Sequence, residues 1–307
     1  MSISRNLEVQ TQVLKELTSP ASFQWNARES YARIAKKLGM DEETVRLTVR
    51  RAMESGFVEK WRIILNPKLL GQESAAVMLI VEDNTRSKNQ VISQLRLVDG
   101  VMLIFDFHGK AIRVVFNFAS EQNLKRKLEL LRSICRCKES QSVYWITTSP
   151  ACTVNLRKID WEILRAISRD PRRNLGALAS ELKVSSRTVN RRLRAMIEGK
   201  AFYLIPVRNL KKSAGLLCNF IIQHEPKSHR EIEEILDQFR PRMDFVYVER
   251  GLYNVSLMLD NITTADEISE TLGSVRGVDD VKMNIVKDFI FVDEWLDDVF
   301  ERKLQAD

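Results

Sequence analysis

The sequence predicts an α+β fold of 307 residues: a tandem repeat of a winged helix-turn-helix followed by a ferredoxin-like (split βαβ) antiparallel α/β domain. The first observation behind this prediction is internal similarity. The run Ile34–Met40 resembles Leu178–Val184, and Thr44 with its neighbour Val45 recurs as Thr188-Val189 at the same offset of 144 residues. The second observation is that apolar residues change within each repeat from helical spacing to alternation. An offset of this size indicates a duplication of whole modules.

Three helices and a hairpin are predicted at the start of the first repeat. Leu7 and Leu14 are spaced along one face of a first helix. Ser30 and Asp41 are placed to cap the second and third helices, because such side chains accept hydrogen bonds from early helical N–H groups. The segment Phe57–Leu65 predicts a short β-hairpin.

The second repeat follows the same plan. Asp160 is expected to cap its first helix, Leu175–Leu182 to form the second, and Ser185 to cap the third. Phe202–Val207 predicts the strand that follows.

The rest of each repeat predicts the order strand, helix, strand, strand, helix, strand, which is the split β-α-β arrangement. In the first repeat the expected elements are Ser74–Glu82, Ser87–Leu97, Val101–Phe107, Ala111–Phe118, Glu121–Ile134 and Ser142–Thr148. In the second they are Gly215–His224, Ser228–Phe239, Met243–Glu249, Tyr253–Asp260, Ala265–Val275 and Val281–Phe291, followed by a helix over Glu294–Lys303. The predicted domains are 1–71, 72–150, 151–212 and 213–307.

Composition narrows the class of protein. A hydrophobic fraction of 44% and a charged fraction of 29% are typical of a globular chain. The chain begins without a secretory signal pattern, and its longest uncharged runs are of strand length. The four cysteines show no framework spacing, so we expect a cytoplasmic protein. Cys135 and Cys137 could pair on a metal, but without a second pair or a nearby histidine they favour a core position. No cofactor, metal site or catalytic constellation is predicted.

Charge is distributed unevenly. Residues 157–212 carry a net charge of +10, whereas residues 213–307 carry −10. A basic block beside an acidic one indicates that the basic block meets a polyanion, and double-stranded DNA is the expected partner. A solvated surface without a partner is the alternative.

The third helix of each helix-turn-helix is the expected recognition helix. In the second repeat its outer face offers Arg for guanine, Asn for adenine, and Ser near the helix N-terminus for phosphate. These residues are Ser185, Ser186, Arg187, Asn190, Arg191 and Arg194. In the first repeat the corresponding helix offers Arg46, Arg50 and Arg51, and Arg62 on the hairpin that follows could contact backbone phosphates. There the helix opens with Asp41-Glu42-Glu43, which stabilises the helix dipole but repels DNA, so whether this helix contacts DNA stays open.

These residues resemble the Lrp/AsnC (feast/famine) family of bacterial and archaeal transcription regulators. The resemblance rests on Ile34–Met40, Val45, Arg50-Arg51, Glu54–Val58, Trp61–Ile63, Asn66-Pro67 and Gly71, and it extends over both repeats. It implies that the α/β domains are of the family's ligand-binding (RAM) type, which pair sheet to sheet and bind amino acids or similar small molecules. We therefore expect a homodimer, or a pseudo-dimer formed by the two halves of one chain.

The effector site implied by the resemblance is altered in both repeats. The family carries a Gly-x-x-Asp turn, whereas this chain has Gly109 followed by Ile112 and Gly251 followed by Asn254. The effector candidates are Gly251, Tyr253, Asn254 and Gly109. Asn254 could bind an amino group or could simply stabilise a turn.

An enzymatic alternative comes from a second resemblance. Siroheme decarboxylases are similar tandem proteins that depend on histidines near the α/β sheet. Here His108 lies next to Gly109, and the run from Arg250 to Asn254 is similar to that family's pocket. A lone histidine at a strand end more often belongs to a turn, so the regulator is the favoured interpretation.

Overall fold

The computed structural model describes residues 3–18, 29–171, 173–249 and 251–305. It divides the chain into two compact units. The first unit comprises Met1–Trp61 and Leu204–Val286, and the second comprises Arg62–Tyr203 and Lys287–Asp307. Each unit therefore combines the helix-turn-helix of one repeat with the α/β domain of the other. We call the two helix-turn-helix modules head 1 (residues 3–61, within the first unit) and head 2 (residues 157–203, within the second).

Both repeats have the same order of elements, and the second ends with an additional helix. The first repeat contains α1 (Ile3–Thr18), α2 (Tyr31–Leu38), α3 (Glu42–Glu54), β1 (Val58–Leu65), β2 (Glu73–Ile80), α4 (Lys88–Leu95), β3 (Val101–Phe107), β4 (Ala111–Phe118), α5 (Glu121–Cys135) and β5 (Val143–Thr147). The second contains α6 (Lys158–Ile167), α7 (Leu175–Glu181), α8 (Ser186–Glu198), β6 (Phe202–Arg208), β7 (Leu216–His224), α9 (His229–Asp237), β8 (Met243–Glu249), β9 (Leu252–Leu259), α10 (Ile262–Gly273), β10 (Val278–Phe291) and α11 (Asp293–Gln305). In the described part of the chain, no helix is long and apolar enough to span a membrane.

The ferredoxin-like prediction is confirmed in each unit. In the second unit the strand order is β5-β2-β4-β3, and in the first it is β10-β7-β9-β8. The pairings within these orders are antiparallel, from Glu73 opposite Phe118 in one sheet to Leu216 opposite Leu259 in the other. In the first unit, helices α9 and α10 cover the sheet through a core that includes Phe220, Ile232 and Leu272.

Head 1 folds as its caps predict. The Ser30 side chain accepts from the Arg33 N–H, and the Asp41 side chain accepts from the Thr44 N–H at 2.7 Å. Val13, Ile34, Val45 and Val49 form the core, together with Leu17 and Ala35. The three helices therefore bury the apolar faces that their spacing indicates.

Two local predictions are wrong. The segment after α3 is not a hairpin but the single strand β1, which pairs with β6. Pairing is antiparallel, because the Asn209 N–H donates to Phe57 O and the Asn66 N–H to Ala201 O. The segment lacks a turn residue that could fold it back on itself. At α6 the cap residue is Arg157, and Asp160 occupies the third helical position, where it accepts from the Arg157 N–H at 2.7 Å.

Charged contacts hold head 1 to the α/β domain of its unit and head 2 to α11. In the first unit, Arg242 lies between Glu8 of α1 and Asp260, at 3.1 and 2.7 Å. In the second unit, α11 packs on α6, with Lys303 over the ring of Trp161. Helix α11 thus lies beside head 2 within the second unit.

Candidate nucleic-acid interface

The outer face of α8 presents an uninterrupted polar surface. Ser185 caps the helix by accepting from the Thr188 N–H at 3.1 Å. The predicted contact residues Ser185, Ser186, Arg187, Asn190, Arg191 and Arg194 are all exposed. On the opposite face, Val189, Leu193 and Met196 are buried. The helical period therefore gathers the predicted residues on one side, where guanidinium and amide groups can reach a nucleic acid.

The turn before α8 determines how closely the helix crosses α7. Ala179 is buried, and its carbonyl accepts from the Val184 N–H at 3.0 Å. Lys183 adopts the left-handed conformation with φ 54°, where the first repeat has Gly39 at φ 65°. A small residue in α7 and a left-handed turn after it are the two features that allow the recognition helix to cross closely.

Arg192 is set apart from the other arginines of α8. Its Nε donates to Asp160 Oδ1 at 2.6 Å, and its Nη2 donates to Asp160 Oδ2. Asp160 is 1% exposed and also holds the Arg157 N–H, so one carboxylate joins α8 to the start of α6. Sequence analysis assigned Asp160 only to a helix cap, because the pairing spans 32 residues and leaves no local pattern.

The recognition helix of head 1 has a different charge arrangement. Glu42 and Glu43 occupy its first turn, and both contact Arg46, at 2.5 and 3.8 Å. Arg50 contacts Glu54 at 3.9 Å. Arg51 is exposed. Much of the positive charge predicted for this face is therefore compensated on the helix itself.

Arg62 does not lie on a DNA-facing surface. The residue is 7% exposed, its Nη2 donates to Asp293 Oδ2 at 2.6 Å, and its guanidinium lies 5.5 Å from the ring centre of Phe291. Burial lowers the pKa of Arg62. Because the guanidinium is enclosed and paired, it does not suit the predicted phosphate contact, and we leave it out of the proposed interface.

The effector candidates Tyr253 and Asn254 lie on opposite faces of β9. Tyr253 belongs to the core beneath the helices, whereas Asn254 accepts from Asn219 Nδ2 at 2.7 Å on the other face. Successive side chains of a strand alternate in direction, so these two cannot line one pocket. Of the two roles considered for Asn254, this buried polar network favours the structural one.

The two glycine turns differ in what surrounds them. At the turn with Gly109 (φ 75°), Lys88 Nζ donates to Gly109 O at 2.9 Å and to Phe107 O at 2.5 Å, and contacts buried Asp106. A lysine of the chain thus occupies this turn. His108 is exposed, and its side chain belongs to the surface.

At the turn with Gly251 (φ 81°), the structure brings together two histidines and a tyrosine. Tyr253 Oη lies 2.9 Å from His229 Nδ1, and the His224 ring is centred 5.3 Å from the Tyr253 ring. His224 Nδ1 contacts Glu225 O, and its buried Nε2 has no hydrogen-bond partner among the described residues. Burial, with Glu233 and Asp237 nearby, raises the pKa of Tyr253 to about 12. Arg250, also considered for this pocket, lies outside the described residues.

Sequence reasoning missed this group because it considered only His108, the histidine next to Gly109. His224 ends one strand and His229 begins the next helix, so a split β-α-β fold puts them at one edge of the sheet. The sequence alone therefore contained enough information to place the two histidines together.

The fold and the exposed face of α8 define a winged helix-turn-helix protein with α/β domains. Residues 156–199 match the family model described as winged helix-turn-helix DNA-binding. An uncharacterized HTH-type transcriptional regulator of Pyrococcus furiosus is 36% identical over 79 residues, which is 25% of this chain and 53% of that protein. Regulatory protein AsnC of Escherichia coli K12 is 28% identical over 76 residues, 25% of this chain and 50% of AsnC.

These relatives agree with the resemblance: about a quarter of the chain is similar to an HTH-type transcriptional regulator and to regulatory protein AsnC. The chain spans about half the length of the curated relatives that it matches. Among solved structures, the siroheme decarboxylase NirDL has the same fold, with a TM-score of 0.52 and 14% identity over 97% of this chain and 99% of that one. That likeness over the whole chain agrees with the predicted tandem fold.

Proposed function

We propose that the protein is a sequence-specific DNA-binding transcription regulator of the Lrp/AsnC type that acts in the cytoplasm and reads DNA mainly through α8. The observation that carries this proposal is the face of α8, where Arg187, Asn190, Arg191 and Arg194 are exposed together above a buried apolar face. The homology to transcription regulators supports the same role for the chain.

Roles within this face follow from side-chain chemistry. Arg187 and Asn190 lie in the first half of α8, the half that a helix-turn-helix brings to base edges, and they suit guanine and adenine. Ser185 and Ser186 lie at the helix N-terminus, where N–H groups and the helix dipole favour a phosphate. Arg191 and Arg194 lie further along and are assigned to the DNA backbone. Arg46, Arg50 and Arg51 form the lesser face of head 1.

The proposal is tested by measuring the affinity of the protein and its variants for duplexes of different sequence. Once bound sites are mapped in the native host, Arg187→Ala or Asn190→Ala should cost about 1–3 kcal/mol on the mapped site and relax the preference for it. Arg191→Ala should weaken binding to every duplex. Arg230→Ala, on the exposed surface of α9, is the matched control and should bind like the wild type. Wild-type affinity in the Arg187 and Asn190 variants would contradict the assignment to α8.

A small-molecule effector, similar to an amino acid, is part of the proposal, and we place it at the turn of Gly251. Tyr253 and its neighbour His229 offer polar groups there, whereas Gly109 lies beside Lys88.

We also propose that the two α/β domains of one chain take the place of a family dimer. Light scattering should then give a monomer or a dimer.

A second candidate function is a siroheme-decarboxylase-like enzyme. The observation that favours it is the group of His224, His229 and Tyr253, on a fold shared over the whole chain with the siroheme decarboxylase NirDL. The purified protein would then bind added siroheme, with a shifted absorption spectrum, and release carbon dioxide from it. Unchanged siroheme in the presence of the protein would eliminate this candidate.

A further inference from the structure

Head 1 has a shortage of positive charge where a DNA-binding surface needs it. The first turn of α3 is acidic, and Arg46 and Arg50 contact carboxylates of their own helix. Head 2, in contrast, opens its recognition helix with serines and presents three exposed arginines. Phosphate attraction supplies essentially all of non-specific affinity, so α3 by itself is a poor DNA ligand.

The first unit attaches a turn of the second repeat to head 1. This exchanged turn, Asn209–Ser213, follows β6 and begins where the Asn209 N–H donates to Phe57 O at 2.8 Å. Asn209 Nδ2 also donates to Glu59 Oε1 at 3.0 Å. The end of the Lys212 side chain lies over Gly56, two residues after the end of α3, because a Cβ at Gly56 would meet Lys212 Nζ at 2.7 Å and Cδ at 3.3 Å.

The corresponding turn of the first repeat, Asn66–Gly71, lies in the second unit with head 2. It has the same construction: each Asn side chain accepts from the N–H two residues later, Lys68 in one turn and Lys211 in the other. The charges differ. Lys68 is paired with Glu73, whereas Lys211 and Lys212 are exposed and make no ion pair among the described residues.

The uncompensated positive charge of each turn is thus opposite in trend to that of the recognition helix in the same unit. The head with a basic recognition helix receives a neutralised turn, and the head with a compensated helix receives two unpaired lysines. We propose that the phosphate-binding surface of head 1 is composite: Lys211 and Lys212 of the second repeat supply the backbone contacts that α3 lacks. This inference rests on the proposed DNA-binding function, and its partner is duplex DNA of any sequence.

A structural role for Lys212 is the competing explanation. A cation near a helix C-terminus stabilises the partial negative charge of the last carbonyls. Such a role would lower the stability of head 1 on substitution but leave the salt dependence of DNA binding unchanged. The structural explanation does not extend to Lys211, because the contact with Gly56 is made by Lys212.

The experiment measures binding of the full chain to a short non-specific duplex between about 50 and 200 mM salt. Lys211→Ala/Lys212→Ala should reduce the slope of log K against log salt by about 1–2, because each neutralised phosphate adds about 0.9 to that slope. At about 100 mM salt, affinity should fall about eightfold for each phosphate that the variant no longer neutralises. Lys68→Ala is the matched control, and neither its slope nor its affinity should change.

Charge reversal in the two heads assigns the effect. In an Arg46→Glu/Arg50→Glu background, which repels head 1 from DNA, removal of the two lysines should have little further effect. In an Arg187→Glu/Arg191→Glu background its full effect on the slope should persist. The reverse pattern, or a drop in melting temperature without any change in slope, would overturn the inference. If the wild-type chain does not bind duplex DNA, it is the proposed function that fails.

Discussion

The two heads occupy equivalent positions in the two repeats, but the helices within each head are joined by different ion pairs. Glu16 of α1 corresponds to Asp160 of α6 at the repeat offset, and Thr48 of α3 corresponds to Arg192 of α8. In head 2 the carboxylate holds the recognition helix itself. In head 1, Glu16 accepts from Lys37 of α2 at 2.5 Å, and the Thr48 hydroxyl donates to Thr44 O within its own helix.

This difference shows that the same fold can fix the recognition helix by a buried ion pair in one head and by apolar packing in the other. Asp160 is almost fully buried and joins the first and third helices of head 2, so the angle of α8 is fixed by a geometrically demanding contact. Lys37 is half exposed and joins the first and second helices of head 1. The recognition helix of head 1, α3, is positioned by apolar packing of Val45 and Val49.

The largest expected effect comes from removing these carboxylates. Asp160→Ala leaves the Arg192 guanidinium enclosed without its partner, so the local stability of head 2 should fall by about 3 kcal/mol. Glu16→Ala should cost less in head 1, about 1 kcal/mol, because its partner Lys37 is half exposed and remains hydrated when the carboxylate is removed. Hydrogen exchange of α8 and α3 amides in the two variants measures both.

A second substitution separates charge burial from packing in this test. Asp160→Ala combined with Arg192→Met removes both charges and should restore part of the protection of α8. Equal losses in the two single variants, or no recovery in the double one, would contradict the comparison between the heads.

A smaller effect is expected at the turns that precede the two recognition helices. Gly39 and Lys183 both adopt a left-handed conformation, but a residue with a Cβ is strained there. Gly39→Ala should therefore destabilise head 1 by about 1 kcal/mol, whereas Lys183→Gly should stabilise head 2 by about 0.5–1 kcal/mol. Thermal unfolding of the two variants gives the signs. A decrease in stability in Lys183→Gly would show that the lysine side chain contributes contacts beyond its backbone conformation.

The sequence allowed most of the fold to be predicted, because its signals are local and occur twice. Strands β3, β4 and β8 have the predicted bounds, and the caps at Ser30, Asp41 and Ser185 are observed. The predicted hairpin at β1 failed because its pairing partner, β6, is distant in sequence. Periodicity identifies a strand but does not specify which strand pairs with it.

The candidate site was predicted unevenly for the same reason. The exposed face of α8 follows from helical spacing, which the sequence contains in full. The burial of Arg62 against Asp293, the bond of Arg192 to Asp160, and the separation of Tyr253 from Asn254 depend on tertiary packing or on which face of a strand meets the helices. Charge counted along the chain assigned Lys211 and Lys212 to the second module, whereas the first unit contains them.

The smallest expected effect is a pH dependence of the cap of the recognition helix, which is a carboxylate in head 1 and a hydroxyl in head 2. Asp41 caps α3, and hydrogen bonds from the Thr44 side chain and the Thr44 N–H lower the pKa of its carboxyl. Because the folded pKa lies below the ordinary value of 3.8, this cap contributes its full stability above that value and loses it as the pH falls through the folded pKa. Ser185 caps α8 with a hydroxyl that does not titrate in this range.

Acidification below about pH 4 should therefore loosen the first turn of α3 before that of α8. The Thr44 amide, which is bonded to the Asp41 side chain, should lose hydrogen-exchange protection, while the equivalent Thr188 amide keeps it after correction for the intrinsic rate. Asp41→Ser gives head 1 the cap of head 2 and should abolish the difference, since a serine hydroxyl accepts the same bond without a charge. If Thr188 loses protection at the same pH as Thr44 in the wild type, the acid sensitivity is a property of the whole chain and not of the cap.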